Sequence, residues 1–181
     1  FYLCGAYFIN NRQKSFLLDC FMYASVPVTF VFLCQKSEEI RAFLNLEKNT
    51  YLVMGEYDSG VFLHHNHYGY YLAMIIALAA ALATAEKKKG SRIFYLIVFG
   101  FNVVILQFNR TLGAWVACLF ALVFQIIIRY IVDRKKSIYA IVELCSYLAI
   151  TGAVGLYDNY MIMSILSLFI DIKRVTMDPV H

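Results

Sequence analysis

The chain has 181 residues, of which 61% are hydrophobic, 17% aromatic and 15% charged, and its formal net charge is +4. Uncharged apolar runs of about 16 residues or more exclude a soluble globular domain, because each run is nearly long enough to cross a bilayer. The positive charge does not indicate nucleic-acid binding, since the basic residues cluster at the ends of the apolar runs. The five cysteines show neither metal-ligand spacing nor a disulfide framework. We therefore expect a multi-pass membrane protein.

The first third of the chain predicts one incomplete span, one complete span and a long polar loop. The apolar run 1–9 is too short to cross a bilayer, so we expect this chain to be a piece of a longer protein. A short polar loop, 10–15, separates that run from a complete span at 16–34. The polar loop 35–60 follows, and we expect it to lie outside the membrane.

Four more apolar runs follow, and each is about long enough to cross a membrane. They occupy 64–84, 93–108, 112–128 and 137–157. The remaining segment, 158–181, is mixed in character, and we expect it to lie at the interface or to begin an external region. The chain is predicted to be a single domain over 1–181 with an all-α fold, a polytopic transmembrane helix bundle. Of the five runs from 16–34 onwards we expect about four to be complete spans, in addition to a partial N-terminal one.

The basic residues predict the orientation of the bundle. Ten of the sixteen fall in three short connections, 10–15, 86–92 and 129–136, which share one face if the spans alternate. Lysine and arginine are enriched in cytoplasmic loops, so this face is predicted to be cytoplasmic. The opposite, outer face then carries Arg110 and the histidine-rich stretch 64–67.

Arg110 lies at the tip of a tight hairpin between the apolar runs 93–108 and 112–128. Each run is about 25 Å long at roughly 1.5 Å per residue, against a hydrocarbon core of about 30 Å, so the turn is held close to the membrane. One interpretation is that Arg110 extends its side chain to lipid phosphates. The other is a functional role, since an arginine near the hydrocarbon is costly and this turn is too short to be a solvated loop. Its place on the outer face, against the positive-inside rule, favours the functional interpretation.

The stretch that opens the span at 64–84 contains three histidines and an asparagine. If the helix begins just before His64, then His64, His67 and Tyr71 share one face and His65 points elsewhere. No carboxylate or cysteine stands at a matching spacing, so no metal site is predicted. Two interpretations remain. The stretch is either an aromatic and amide-rich helix cap at the interface, or the polar wall of an external site that hydrogen-bonds a sugar or a phosphate beside Arg110.

Two carboxylates, Asp19 and Glu143, fall inside predicted spans. A carboxylate that faces lipid is expensive, so we expect at least one of them to face the bundle interior or a polar cavity. Together with Pro27, which interrupts the hydrogen bonding of its helix, they are also what a transporter needs. A multi-pass transporter or flippase of lipid-linked or small solutes is therefore the alternative function. The inverted repeat found in many transporters is not visible in the sequence, which counts against this alternative. A non-catalytic membrane scaffold is a further alternative.

Two short motifs lie on the same predicted side of the membrane. The residues of the first are Gly60, Phe62, His64, Asn66, Tyr68, Gly69 and Leu72. The residues of the second, later in the chain, are Asn109, Arg110, Gly113, Ala114 and Trp115. In their residues, order and placement these motifs resemble those of the O-antigen ligase family of bacterial envelope proteins, which also includes O-antigen and exopolysaccharide polymerases. The likeness covers 60–181, and it implies a membrane-embedded glycosyltransferase of the GT-C type that needs neither a metal nor a cofactor.

The resemblance also implies a reaction and a set of site residues. The family transfers a glycan from undecaprenyl diphosphate to a glycan or lipid acceptor at the outer face of the bacterial cytoplasmic membrane, in lipopolysaccharide and other cell-surface polysaccharide biosynthesis. Arg110 is then the catalytic residue, because a guanidinium can hold two oxygens of the leaving diphosphate. The residues expected to bind substrate are His64, Asn66, His67, Tyr68, Asn109 and Arg174.

The sequence leaves two parts of this function open. In the family a second arginine and a histidine, the latter a plausible general base, lie in a large external loop, and no residue of this chain is matched to them. We therefore expect the chain alone to be inactive. Ligase and polymerase share donor and chemistry, so the sequence does not separate them.

Overall fold

The computed structural model describes residues 11–36, 61–62 and 64–157, and every long element in these ranges is an α-helix. The helices are α1 (Asn11–Lys36), α2 (His65–Ala85), α3 (Lys89–Asn109), α4 (Leu112–Val132) and α5 (Arg134–Tyr157). The predicted all-α class is therefore confirmed for the described part of the chain. The predictions for 1–9, for most of the loop 35–60 and for 158–181 lie outside the described residues.

Each of the five helices contains a stretch that is long and apolar enough to cross a membrane. These stretches are Phe16–Cys34, His65–Ala85, Lys89–Asn109, Leu112–Val132 and Arg134–Gly155. The expected number of about four complete spans is thus too low, because every apolar run from 16–34 onwards forms a helix of spanning length. The chain is consistent with a multi-pass membrane protein, and which face is cytoplasmic stays a prediction.

The helix boundaries differ from the predicted ones where polar residues flank an apolar run. The predicted loop 10–15 is wrong over its described part, because α1 already begins at Asn11. In the same way α3 begins at Lys89 and α5 at Arg134, inside the basic connections. Change of polarity marks where a helix leaves the hydrocarbon, whereas the backbone hydrogen bonding continues until a cap or a turn ends it.

The connections from α2 onwards are very short. Three residues, 86–88, join α2 to α3, two residues, 110–111, join α3 to α4, and Asp133 alone joins α4 to α5. Such short connections make consecutive helices antiparallel. The turns at 86–88 and Asp133 therefore lie at one end of the bundle, and Arg110 lies at the other end with the start of α2.

The helix α2 is the centre of the bundle and packs against α3, α4 and α5. Its buried face is rich in alanine, and small residues let neighbouring helices approach closely in a membrane. The buried alanines are Ala73, Ala79, Ala80 and Ala83. α4 packs against α2 and α5 much more than against α3, although only two residues join α3 to α4. The last helix, α5, contacts both α3 and α4, so it lies between the two arms of that hairpin.

Polar contacts attach α1 to α3. The Tyr95 hydroxyl donates to the Asp19 carboxylate, and the Thr29 hydroxyl lies 3.0 Å from the Asn102 carbonyl oxygen, with both Thr29 and Asn102 buried. The Tyr23 ring stacks on a phenylalanine of α3 at 4.6 Å. Contacts therefore advance in the same direction along both helices, so α1 runs parallel to α3.

The carboxylate of Glu143 is buried among α2, α4 and α5. Only 5% of the residue is exposed, and its two oxygens lie 3.0 and 3.1 Å from the Thr84 hydroxyl. The Gln125 amide nitrogen approaches it at 3.4 Å. The prediction that at least one of the two carboxylates within spans faces the bundle interior is confirmed by Glu143, and Asp19 also has a protein partner.

Candidate functional site

The hairpin that carries Arg110 is built on an unusual backbone conformation. α3 ends at Asn109, and Arg110 follows in the left-handed region with φ 59° and ψ 24°. Among the described residues Arg110 is the only non-glycine residue with a positive φ. A left-handed residue often ends a helix, but this position is usually glycine, because a side chain there costs about 1–2 kcal/mol. The Arg110 side chain is exposed, so the arginine is not explained by packing or by backbone preference.

The residues on both sides of Arg110 are buried and joined to the first turn of α2. The Asn109 side-chain amide donates to the backbone carbonyl of His65 at 3.2 Å. The Thr111 hydroxyl donates to the side-chain Oδ1 of Asn109 at 2.6 Å, and the same hydroxyl lies 3.4 Å from the backbone carbonyl of His65. Asn109 is 1% exposed and Thr111 is 4% exposed. The turn is thus fastened to a helix more than 40 residues earlier in the chain.

Gly69 makes this contact possible. A Cβ atom at position 69 would lie 2.6 Å from the Asn109 carbonyl oxygen and 2.7 Å from the Thr111 Cβ. Real Cβ atoms do not approach other atoms so closely, and the neighbouring atoms at Thr111 lie at the base of its side chain. The hairpin therefore sits against the bare backbone of α2, and any larger residue at position 69 would push it away.

A second set of contacts braces the hairpin against α5. The Trp115 indole, 4% exposed, donates to the Leu106 carbonyl at 2.9 Å across the turn. The Tyr147 hydroxyl donates to the Trp115 carbonyl at 3.0 Å. The Gln107 amide donates to the Thr151 hydroxyl, also at 3.0 Å. The turn that carries Arg110 is thus held against both α2 and α5 by buried polar groups.

The helix α2 begins at His65, within the predicted start near His64 or Tyr68. His64 is the N-cap in an extended conformation, and its Nδ1 accepts a hydrogen bond from the Asn66 amide at 3.1 Å. Its ring stacks on His65 with a centroid distance of 4.4 Å and lies 5.8 Å from the His67 ring. The prediction that His65 points away from His64 is therefore wrong, because His64 precedes the helix and does not follow its periodicity. Across the described segments, no group of three or more histidine, cysteine, aspartate or glutamate residues could hold a metal ion.

The predicted site residues occupy three different environments. His64, Asn66 and His67 are exposed at the end of the bundle that carries Arg110. Tyr68 is fully buried against Phe32, with ring centroids 5.0 Å apart, so its ring belongs to the packed interior. Asn109 is also buried, as described above, and Arg174 lies outside the described residues.

The Tyr68 hydroxyl is a polar group in an apolar environment. It approaches Thr29 of α1 without a well-directed hydrogen bond to any described residue. Its phenol is therefore part of the contact between α1 and α2 and is not available at the outer surface. The motif position that it fills serves packing in this structure.

Sequence reasoning missed the role of Thr111 and of Gly69. Thr111 is the N-cap of α4, but its hydroxyl makes no cap hydrogen bond and is directed to Asn109 instead. A threonine that follows a tight turn is usually read as a cap, so the sequence offers no signal for this cross-helix role. Gly69 was part of a motif, and only the structure gives it a physical reason.

Comparison with known proteins adds no relative. No protein-family model, no curated protein and no solved structure matches the chain. Conclusions about function consequently depend on the geometry around Arg110 and on the two sequence motifs.

Proposed function

We propose that this chain is part of a bacterial membrane glycosyltransferase of the O-antigen ligase or polysaccharide polymerase kind. It would transfer a glycan from undecaprenyl diphosphate to a glycan or lipid acceptor at the outer face of the cytoplasmic membrane. The observation that carries the proposal is Arg110, an exposed arginine in a left-handed conformation at the tip of a braced turn. Strained residues of this kind cluster at functional sites, where the side chain is retained in spite of the backbone.

The chemistry of the proposed reaction suits a guanidinium at this position. Breaking a sugar–diphosphate bond leaves negative charge on the lipid diphosphate, and stabilising developing charge is usually the largest catalytic contribution. A guanidinium can donate two parallel hydrogen bonds to phosphate oxygens, and its charge persists at any physiological pH. The rigid turn fixes the origin of the Arg110 side chain before substrate arrives, which favours stabilisation of a transition state over mere binding.

The histidine-rich start of α2 supports the same proposal. Both residues that flank Arg110 reach the His65 carbonyl, so the arginine and this stretch belong to one structural unit. Asn66 and His67 are exposed on it, and amide and imidazole groups are suited to hydrogen-bonding sugar hydroxyls or phosphate oxygens. The unit therefore offers a charged group and neutral polar groups at one end of the bundle, as a lipid-linked glycan requires.

The test replaces Arg110 in the full-length protein, expressed in cells that lack the native enzyme. Arg110→Ala should abolish transfer of lipid-linked glycan. Arg110→Lys should retain less than about a tenth of the transfer, because an ammonium does not form the bidentate hydrogen bonds of a guanidinium with phosphate. Arg110→Gly should also be inactive, yet its thermal stability should equal or exceed that of the wild type by up to about 1 kcal/mol, since glycine relieves the left-handed strain.

The control is Arg134→Ala, which removes an exposed arginine at the opposite end of the bundle. It should transfer glycan at the wild-type rate, with protein levels compared in the same membranes. Wild-type transfer by Arg110→Ala would return Arg110 to a lipid-contacting role and overturn the proposal. Loss of Arg110→Gly protein from the membrane would instead make the residue structural.

A multi-pass transporter or flippase of lipid-linked or small solutes is the second candidate. The observation in its favour is Glu143, a carboxylate buried within a span, because such groups often line ion pathways. Glu143→Gln preserves the shape of the side chain and removes its charge. If the chain is a transporter, this variant should stop transport in vesicles, whereas a glycosyltransferase should keep transferring glycan with Gln at position 143.

A further inference from the structure

The two residues that flank Arg110 have no surface of their own to offer a substrate. Asn109 was expected to bind substrate, but it is 1% exposed, its amide donates to the His65 carbonyl and its carbonyl accepts from Thr111. Thr111 is 4% exposed, and its hydroxyl is not used to cap α4. Two buried polar side chains in one hydrogen-bonded chain, both aimed at the same backbone carbonyl, indicate a role in geometry.

The geometry that they control is the distance between Arg110 and the histidine-rich start of α2. One hydrogen bond starts from the residue before Arg110, and the Thr111 hydroxyl supports it from the residue after. Because Gly69 has no side chain, the backbone of α2 directly contacts the same two side chains. The backbone of Arg110 therefore has little freedom to move away from α2.

We propose that Asn109, Thr111 and Gly69 position Arg110, so that its guanidinium and the exposed polar groups at the start of α2 act on one and the same diphosphate. This inference rests on the proposed glycan transfer and deepens it, because it assigns the binding of the diphosphate to Arg110 and to the start of α2 together. Asn109 and Thr111 are positioning residues that act through Arg110 and do not touch the ligand. A loss of their contacts leaves the arginine present but displaced, and displacement weakens a two-pronged grip more than it weakens simple charge attraction.

The test compares matched variants of the full-length protein, purified into nanodiscs, by the KM and kcat for a lipid-diphosphate-linked glycan. Thr111→Val keeps the shape and removes the donor, and it should lower kcat/KM about tenfold, the equivalent of one charge-orienting hydrogen bond. Thr111→Ser restores the hydroxyl and should restore kcat/KM. Inhibition by inorganic diphosphate should weaken in Thr111→Val by a similar factor, which shows that the effect lies at the anion.

The control for Thr111→Val is Thr84→Val. Thr84 is a second buried threonine whose hydroxyl bonds another side chain, at the far end of α2. Thr84→Val should lose about as much stability as Thr111→Val, but it should keep the wild-type KM and kcat. A merely structural role for Thr111 predicts the same outcome for both variants.

Gly69→Ala and Gly100→Ala form a second matched pair that does not depend on a hydroxyl. A Cβ at Gly69 would collide with Asn109 and Thr111, whereas a Cβ at Gly100 meets nothing within 4 Å. Gly69→Ala should lower kcat/KM by tenfold or more, on the order of the loss for a misplaced catalytic group, and Gly100→Ala should leave it unchanged. If Thr111→Val does not accumulate in membranes, this pair decides the question.

The outcomes separate this inference from the function on which it rests. Retained transfer in Arg110→Ala would overturn the proposed function and the positioning role together. Loss of transfer in Arg110→Ala, with wild-type kinetics in both Thr111→Val and Gly69→Ala, would overturn the positioning role alone.

Discussion

Both ends of the helix bundle have tight turns between helices, but the hydrogen bonds that stabilise these turns differ between the two ends. At the end with Glu86 and Asp133 the turns use local hydrogen bonds and remain exposed. One Glu86 oxygen accepts from the amides of Lys87 and Lys88 at 2.8 Å each, and Asp133 accepts from the Lys135 amide at 3.2 Å. At the Arg110 end the polar groups are buried and their partners lie on other helices.

This difference determines how far the effect of a substitution spreads. A local turn changes only its own few residues when a side chain is lost, and water replaces the missing hydrogen bond. A turn fastened to α2 and α5 leaves a buried group without a partner when one side chain is removed, which costs about 1–3 kcal/mol. The Arg110 turn is therefore sensitive to loss of its buried side chains, whereas the turns at 86–88 and at Asp133 should tolerate substitution better.

The sharpest contrast should come from the aromatic residues near each end. Trp115 is 4% exposed and donates to the Leu106 carbonyl, whereas Tyr130 is 55% exposed. Trp115→Ala should destabilise the fold by about 3 kcal/mol or more, because it leaves a cavity and an unpaired carbonyl. Tyr130→Ala should cost about 0.5 kcal/mol or less. Thermal unfolding of both variants in the same detergent measures the difference, and equal losses would contradict the comparison.

Thr84 tests whether contacts between helices also stabilise the end of the bundle that carries Glu86 and Asp133. Its hydroxyl contacts the Glu143 carboxylate at 3.0 Å, a cross-helix contact of the kind found near Arg110. Thr84→Val should therefore destabilise the bundle by about 1 kcal/mol, measured as a shift in thermal unfolding. Ser146→Ala is the comparison, because the Ser146 hydroxyl bonds only the Val142 carbonyl of its own helix. A shift for Thr84→Val no larger than for Ser146→Ala would show that this contact does not hold helices together.

The smallest effect is expected at Glu86 and depends on pH. The backbone amide of Lys88, and less strongly that of Lys87, holds the pKa of the Glu86 carboxyl below its ordinary value. A lowered pKa means that the ionised form stabilises the turn above the unfolded pKa, and that this stabilisation disappears as pH falls through the folded value. Glu86→Gln should speed amide exchange at the start of α3 roughly two- to fivefold at neutral pH. Once the pH is below the lowered pKa of the Glu86 carboxyl, the variant and the wild type should exchange alike.

The sequence was sufficient for the helices and insufficient for their partners. Apolar runs with few charges are needed to span a membrane, so the stretch Phe16–Cys34 and the hairpin at Arg110 were found from composition alone. A lone polar residue in a span indicates that a partner exists but not which residue it is. The pairs Thr29 with Asn102 and Asn109 with His65 join helices far apart in sequence, and no periodicity encodes them.

The candidate site stays a prediction, and the structure adds the environment of its residues. Arg110 was identified because a lone base in a tight outer turn conflicts with the ordinary charge distribution of membrane proteins. Tyr68 and Asn109 were grouped with it because they match motifs, and a motif does not distinguish a residue that contacts a ligand from one that supports it. The structure shows that both are buried, Tyr68 against α1 and Asn109 against the start of α2, and their part in substrate binding stays a prediction.

The place of α5 between the arms of the α3–α4 hairpin has a consequence for how the protein is made. Helices leave the translocon in order, so α3 and α4 enter the lipid joined by two residues and without the helix that will separate them. The Trp115 carbonyl and the Gln107 amide receive their partners only when Tyr147 and Thr151 arrive. The Arg110 turn therefore has its contacts with α2 before α5 is made and gains its contacts with α5 only afterwards, and ribosome-bound chains that stop before α5 should lack these last two hydrogen bonds.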